Sequence, residues 1–552
     1  LFVVGQFLKV ETVATGTIAM NNNHYDAIII GTGAGGGTLA HELAMAGKKI
    51  LILERGEFLP QEKENWNPTK VYQNQRYFTD EQWFDKEGEP FSPQTCYWVG
   101  GNTKVYGAAL VRMRERDFEV VEHKGGISPA WSLSYDDFEP YYTKAEQLYQ
   151  VHGQRGEDPT EPPTTQPYPC PPVRHERCMQ NTVDCLEKQG FYPFHLPLAL
   201  KLNQVDRTLT DCIRCDTCDG YPCLVRGKAD ADINGVRPVK SQSNVTLITG
   251  AKANRLHTDE SGQVVTAVEA EIDGESRLFS GDIVVVSCGA INSAGLLLRS
   301  RNDVHPNGLA NRSDQVGRNF MKHLSTAMVA LSDRPNTDTH QKTIGLNDYY
   351  WGEPDFPYPM GMVQNTGNVK AGMIPAEAPS LLAPYVKLAP EFVLEFFAQY
   401  TTGWWLQTED LPDPNNRVRC SADGKLYLEY TANNLEARDR LIYCWTSVLR
   451  AMDKSVKHVM PFNLYPRNLI PLAAVAHQCG TCRFGTDPET SVLDINCRTH
   501  DIDNLYVVDS SFFPSHAGVN PTLTIIANAI RVTDHLIERL GGRKTSPKSA
   551  VT

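Results

Sequence analysis

The chain has no apolar run long enough to cross a bilayer as a helix, which takes about 20 consecutive apolar residues. Its opening, LFVVGQFL, is too short, and it lacks a basic n-region and a small-residue cleavage site, so no export signal is read there. Met20, just ahead of Asn21-Asn22-Asn23, is a candidate start, with residues 1 to 19 an upstream extension or a tail. The most apolar internal stretch, Leu381 to Leu406, is broken by Lys387, Pro390, Glu391 and Glu395. It is expected as a core helix and strand, with a lid or membrane-surface patch as the alternative. Runs of Lys and Arg are also missing, and the net charge is -12, which excludes nucleic acid as a partner because phosphate neutralisation needs clustered cations. The expectation is a cytoplasmic protein without a transmembrane segment, peripheral membrane contact being the variant. Cysteine is not scarce. Fourteen cysteines in a chain without an export signal read as thiols or metal ligands rather than as a disulfide framework.

With 552 residues the chain exceeds one ordinary core, so two domains are expected, one of them split in sequence. The rest is arranged around Tyr25 to Gly56. Ala27 to Ile30 is a short apolar run suited to a buried parallel strand, and Thr38 to Ala46 places Leu39, Leu43 and Ala46 at helical spacing. Between them lies Gly31-Thr32-Gly33-Ala34-Gly35-Gly36. Gly31 permits the tight turn, Gly33 lets backbone approach a pyrophosphate, and Gly36 lets the helix pack close to the strand. A second strand, Lys49 to Leu53, delivers Glu54, whose carboxylate can accept both ribose hydroxyls of an adenosine and would repel a 2'-phosphate. Strand, turn, helix, strand and acid fall in order, so the stretch reads as a dinucleotide site for FAD or NAD rather than NADP.

Farther along, Tyr97 to Gly107 contains Gly100-Gly101-Asn102-Thr103. Paired glycines followed by a hydroxyl residue let backbone amides and Thr103 sit against a planar, hydrogen-bonding ligand. Here the chain resembles the glucose-methanol-choline (GMC) family of FAD-dependent oxidoreductases, and the resemblance covers nearly everything after Tyr25. It implies an N-terminal dinucleotide fold, a Gly-Gly stretch lining the isoalloxazine, a mid-chain FAD segment and a C-terminal catalytic pair. In members with histidine-linked flavin the linking residue follows the second glycine by four positions; Val105 stands there, which implies FAD held without a covalent bond. The mid-chain segment is similar at Gly289 to Ser293, a small-residue turn between the buried run Gly281 to Ser287 and a helix carrying Leu296 to Leu298, although Ala294 stands where Pro or Ser is usual. In that reading Ala253 offers backbone atoms to the adenine.

Asn504 to Asp509 reads as a strand ending in an acid, expected to hold the ribityl or pyrophosphate region. After a loop, Asn520 can cap a helix, Pro521 fits its first position, and Leu523, Ile526, Ile530, Ile537 and Leu540 form its apolar stripe. A helix start aimed at flavin puts positive dipole where negative charge gathers on reduction. His477-Gln478-Cys479-Gly480-Thr481 and Asn520-Pro521-Thr522 resemble the family's HxxGT and NPxxT-type segments. The resemblance implies Asn520, Pro521 and Thr522 as cofactor contacts, with His477 and Asn520 flanking the flavin's reactive nitrogen. Alcohol oxidation asks for such a pair, because the hydroxyl proton is held with a pKa of about 16 and must leave with the hydride or before it. His477 is expected as the base and Asn520 as the group that orients the oxygen. His500, His516, Cys479 and Cys482 are expected to be structural.

Cys212-x2-Cys215-x2-Cys218-x4-Cys223 puts four thiols within reach of one metal centre. An iron-sulfur cluster, zinc, disulfides and free thiols all stay open, although some dehydrogenases of the resembled family look to carry an iron-sulfur cluster in this region. From Leu331 to Tyr465 the sequence is aromatic and proline-punctuated, consistent with an antiparallel substrate domain. Trp404, Trp405 and the following TEDLPDPNNRV resemble the family's strand and turn beneath the substrate, where aromatic faces can pack on sugar or ring carbons. Trp131 to Gln150 reads as a loop and then a helix entered after Pro140.

The expected architecture is α/β plus α+β, a Rossmann-like FAD-binding domain with a parallel sheet and an inserted substrate domain on a mainly antiparallel one. Residues 25–115, 205–330 and 470–545 are assigned to the first, 116–204 and 331–469 to the second, with tails at 1–24 and 546–552. The expected activity is oxidation of the CH-OH group of a small-molecule alcohol, polyol or sugar, with electrons passing to oxygen, a quinone or a protein. The rivals are a non-redox lyase on the same fold and an electron-relay flavoprotein subunit.

Overall fold

A computed structural model of the chain describes residues 19–332, 334–377, 383–453, 465, 467–474 and 477–542. Ala27, Ile28, Ile29 and Ile30 are all 3% exposed or less, so their strand needs cover on both faces. The strand, Ala19–Ile30, begins upstream of Tyr25 and pairs in parallel with Ile50–Leu53 on one side and Glu275–Val286 on the other. Val245–Ile248 extends the parallel set beyond Ile50–Leu53, and Leu505–Val507 joins it against Val284–Val286. Ala251–Thr258 and Val265–Ile272 add an antiparallel meander, which completes a sheet of seven strands. Each Ile or Leu removed from water here contributes about 1.5–3 kcal/mol.

Helices Ala34–Met45 and Thr522–Arg539 pack on each other, and Tyr135–Leu148 packs on the second of them. This third helix starts at its Ser134 cap and not after Pro140, which lies inside it. Ser134 accepts from the Asp137 amide while Asp137 accepts from the Ser134 amide, so a capping box sets the start ahead of the proline. Tyr142 Oη bonds Thr524 Oγ1 at 2.8 Å, and Tyr149 Oη bonds Thr38 Oγ1 at 2.8 Å, which ties the segment to the dinucleotide layer.

The second sheet has six strands in the order Arg467–Leu469, Leu324–Leu331, Thr401–Thr408, Met362–Asn365, Ile344–Leu346, Phe194–His195. Every neighbouring pair in it is antiparallel. Adjacent residues of a strand point to opposite faces, which separates the two tryptophans expected together. Trp405 shares a face with its cross-strand partner Gln364, whereas the Trp404 ring packs on Trp445 of helix Leu435–Asp453 with ring centroids 4.6 Å apart, and atoms of both tryptophans border the cavity.

Helices Ala383–Leu388 and Glu391–Gln399 precede the central strand of this sheet. They contribute Val386, Val393 and Leu394 to the cavity wall, and Ala389 of the link between them joins these, while Leu388 and Phe392 stand 84% and 71% exposed. With solvent on one side and the cavity on the other, they form a lid and not core. Among the described residues no helix is long and apolar enough to cross a membrane.

Candidate active site

Two glycine turns make the base of the site. Gly31 has φ +97°, and a Cβ on it would lie 2.3 Å from the Ser287 carbonyl oxygen. A Cβ on Gly36 would meet Gly31 O at 2.2 Å, and one on Gly35 would meet Val508 O at 1.9 Å. Gly35 is outside the sequence-based set because its partner, Val508, lies far along the chain, just past the strand Leu505–Val507. Gly33 differs: nothing lies within 4 Å of its Cβ position, and it forms the N-cap of helix Ala34–Met45 on the cavity wall. Bare backbone at a helix N-terminus, next to open space, is what a pyrophosphate requires.

Gly100 and Gly101 both have positive φ, and a Cβ on Gly101 would stand 3.2 Å from Gly33 Cα, so the two turns touch. Glu54 is the clamp between them. Its carboxylate accepts from the Thr32 amide at 3.0 Å, from the Thr32 hydroxyl and from the Gly56 amide at 2.9 Å, while the Gly100 amide donates to Thr32 Oγ1 at 3.0 Å. Burial raises the Glu54 pKa against the pull of these donors. The residue expected to meet the ribose therefore also fixes the turn, and it still lines the cavity.

The turns, the strand ends and the second sheet bound a cavity of about 830 Å³. Of the cofactor residues expected from sequence, Gly31, Gly33, Glu54, Gly101, Asn102, Thr103, Ala253, Asp509, Asn520, Pro521 and Thr522 line it. Gly36 and Gly100 stand behind the wall as close-packing positions. Asp509 is more internal in its bonding than expected. Gly289 N at 2.9 Å, Ser511 N at 2.8 Å and the Ser293 and Ser511 hydroxyls all donate to it, joining the mid-chain turn to the C-terminal strand, and burial raises its pKa. Thr103 likewise spends its hydroxyl on Gly100 O and accepts from the Ala231 amide at 3.0 Å. Open backbone at Gly33, two left-handed glycines and a cavity of this volume lined by both sheets fit FAD.

His477 and Asn520 line this cavity together. Asn520 does not cap its helix: the cap is Pro521, without a side-chain bond, and Asn520 Oδ1 instead accepts from Gln364 Nε2 at 3.3 Å. Because Gln364 presents a donor there, the Asn520 amide hydrogens are left for another acceptor. The loop before Asn520 is pinned by the second sheet and its flank. Glu409 accepts from the His516 and Ala517 amides at 3.2 and 3.1 Å, Tyr350 Oη accepts from the Gly518 amide at 3.0 Å, and Gln407 Nε2 donates to Gly518 O at 3.2 Å. His323, absent from the sequence-based set, places Nδ1 2.9 Å from His477 Nδ1. Burial and the Lys342 charge pull the His477 pKa down to about 4 against Asp219, so its imidazole is neutral near pH 7.

Lys342 and Asp219 also escaped sequence reasoning. They pair at 2.8 Å on the cavity wall, and a Cβ on Gly107 would collide with both. Asp219 comes from the loop that carries Cys212, Cys215, Cys218 and Cys223, the candidate metal ligands. Those four thiols are free, and among the described residues no group of three or more His, Cys, Asp or Glu side chains is arranged to hold a metal ion. The loop is organised by Lys228 instead, whose ammonium donates to Tyr106 O, Cys218 O and Tyr221 O at 2.7, 2.7 and 2.9 Å.

A nucleotide-binding parallel sheet facing an antiparallel substrate sheet, with an imidazole and a carboxamide between them, defines a two-domain flavin-type oxidoreductase. Two family models described as GMC oxidoreductase match residues 25–325 and 412–529, and the chain belongs to that family. It is 30% identical to paromamine 6'-oxidase of Streptomyces fradiae over 95% of this chain and 93% of that relative. Similarity to 6'''-hydroxyparomomycin C oxidase of Streptomyces lividus is 29%, with the same shares covered, 95% and 93%. Among solved structures, pyridoxine 4-oxidase from Mesorbium loti shares the fold with a TM-score of 0.63 at 18% identity, over 93% of this chain and 99% of that one. The protein is an FAD-dependent oxidoreductase acting on CH-OH groups.

Proposed function

We propose that His477 removes the hydroxyl proton of a polyhydroxylated alcohol or sugar while Asn520 holds the oxygen from which it leaves. The observation that carries this reading is the presence of both side chains on the cavity that the two glycine turns line. A neutral imidazole can take the proton, and the free Asn520 amide hydrogens can donate to the alkoxide that develops. FAD, when bound, supplies the acceptor for the hydride that leaves the carbon. Gly31, Gly33, Gly101 and Glu54 hold that group, and Val105, at the position of the linking histidine, favours a non-covalent FAD.

Anaerobic mixing with a panel of sugars, polyols and simple alcohols tests the reading: an active substrate bleaches the yellow colour, and a flavin that no CH-OH compound bleaches would end it. Repeating the assay with oxygen and with a quinone-type dye identifies the acceptor. The lowered His477 pKa gives a pH signature. The base form persists above about pH 4, so kcat/KM is expected to hold from pH 8 down to about 5, where an ordinary imidazole near 6.5 would already be mostly protonated. An acid limb centred near 6.5 in the pH profile of kcat/KM counts against this protonation state.

The Asp219–Lys342 pair supports a hydroxyl-rich substrate, in keeping with relatives named for paromamine and 6'''-hydroxyparomomycin C. Asp219→Asn is expected to raise KM for a polyol or sugar by about tenfold, the scale of one charged hydrogen bond, and to change KM for a monohydric alcohol less. Equal effects on both substrates in steady-state assays would remove the pair from substrate recognition.

A further inference from the structure

His323 reaches His477 through the backbone. Met321 and Cys479 form an antiparallel pair, each amide donating to the other's carbonyl at 3.0 Å, so counting two residues outward brings 323 opposite 477. The rings then stand nearly perpendicular, at 87°, with the two Nδ1 atoms 2.9 Å apart. The far side of His323 is also occupied, its Nε2 lying 3.0 Å from the Ala517 carbonyl oxygen.

These contacts leave one arrangement of protons. A carbonyl oxygen only accepts, so His323 Nε2 carries hydrogen. In a neutral imidazole the other nitrogen is then bare, and His323 Nδ1 must accept. The hydrogen between the rings therefore sits on His477 Nδ1, and His477 Nε2 is bare. Burial, with His516 and His477 beside it, holds the His323 pKa well below its ordinary value, consistent with the neutral ring. His516 stacks flat on His323, with centroids 3.8 Å apart and planes at 7°, which fixes the orientation of that ring.

We propose that His323 is a positioning residue, which selects the His477 tautomer with hydrogen on Nδ1 and leaves Nε2 as the atom that takes the substrate's proton. The proposal rests on the reading of His477 as the base. When Nε2 is protonated, the Nδ1–H bond to His323 becomes charge-assisted, and the proton stays on His477 because the chain ends at a carbonyl. His323 also bridges the two catalytic segments, since Ala517 belongs to the loop that delivers Asn520.

Asparagine places its Oδ1 near the site of a histidine Nδ1, whereas glutamine places its oxygen near that of Nε2, so substitutions at 323 separate the bond to His477 from bulk and polarity. In the holoenzyme, H323A and H323Q are expected to lower kcat by about 10–100-fold with KM within about threefold of wild type. H323N is expected to keep kcat within about threefold, and the double variant H323A/H477A to be no slower than H477A. Loss in H323N equal to that in H323A, an H323A effect that multiplies onto H477A, or loss of flavin from all three variants at 323 would each overturn the proposal. Wild-type turnover by H477A overturns the base reading instead, which keeps the two failures distinct.

Discussion

Replacing His477 by alanine is expected to leave the protein yellow and to lower kcat by about 10²–10⁴-fold, the contribution of a positioned general base. The colour should survive because the proposed dinucleotide cradle does not use this side chain. It is built from the glycine turns, the Glu54–Thr32–Gly100 chain and the Asp509 cluster. Turnover should fall because among the described residues the alternatives are poor bases. Asp219 is engaged by the Lys342 ammonium and the Gly367 amide, and His323 is bonded at both nitrogens. The visible spectrum checks the first half and steady-state rates the second. An unchanged kcat would favour an electron-relay role, in which no side chain need touch an alcohol.

The second large effect separates two adjacent kinds of glycine. Gly35→Ala pushes a methyl group to 1.9 Å from Val508 O, and since both sides of that contact are backbone, helix Ala34–Met45 must move off the sheet. The expected cost is about 3 kcal/mol of stability, the upper part of the range for overpacking. Gly33→Ala meets no atom within 4 Å and sits at φ -64°, where alanine is unstrained. Its apoprotein should unfold within about 0.5 kcal/mol of wild type, yet FAD affinity should drop by about tenfold or more because the methyl group occupies the phosphate approach. Denaturant unfolding of the deflavinated proteins and fluorescence titration with FAD read the two separately. Identical behaviour of the variants would mean that Gly33 does not face the cofactor.

The first turn was readable because its requirements are local. A buried apolar strand, a glycine that takes positive φ, a half-buried glycine at the helix start and an acid at the next strand end all lie within one strand–helix–strand unit. The C-terminal helix was readable for a similar reason, its stripe repeating at helical spacing, although Asn520 turned out to face Gln364 rather than cap it. The cysteine run shows the opposite case. Its spacing permits a metal site, but the loop folds around Lys228 and presents Asp219.

From the order of residues alone came the strand–turn–helix–strand unit and the parallel and antiparallel halves, because turn geometry and burial period are properties of short segments; the two residues on which the proposed chemistry turns came from the resemblance of their segments to the family's. Only the folded chain decided which groups surround those residues. His323 lies 154 residues before His477, Lys342 lies 123 after Asp219, and Gln364 lies 156 before Asn520. Contacts over such separations depend on how one sheet is registered and packed against another, and no short stretch of sequence encodes that register.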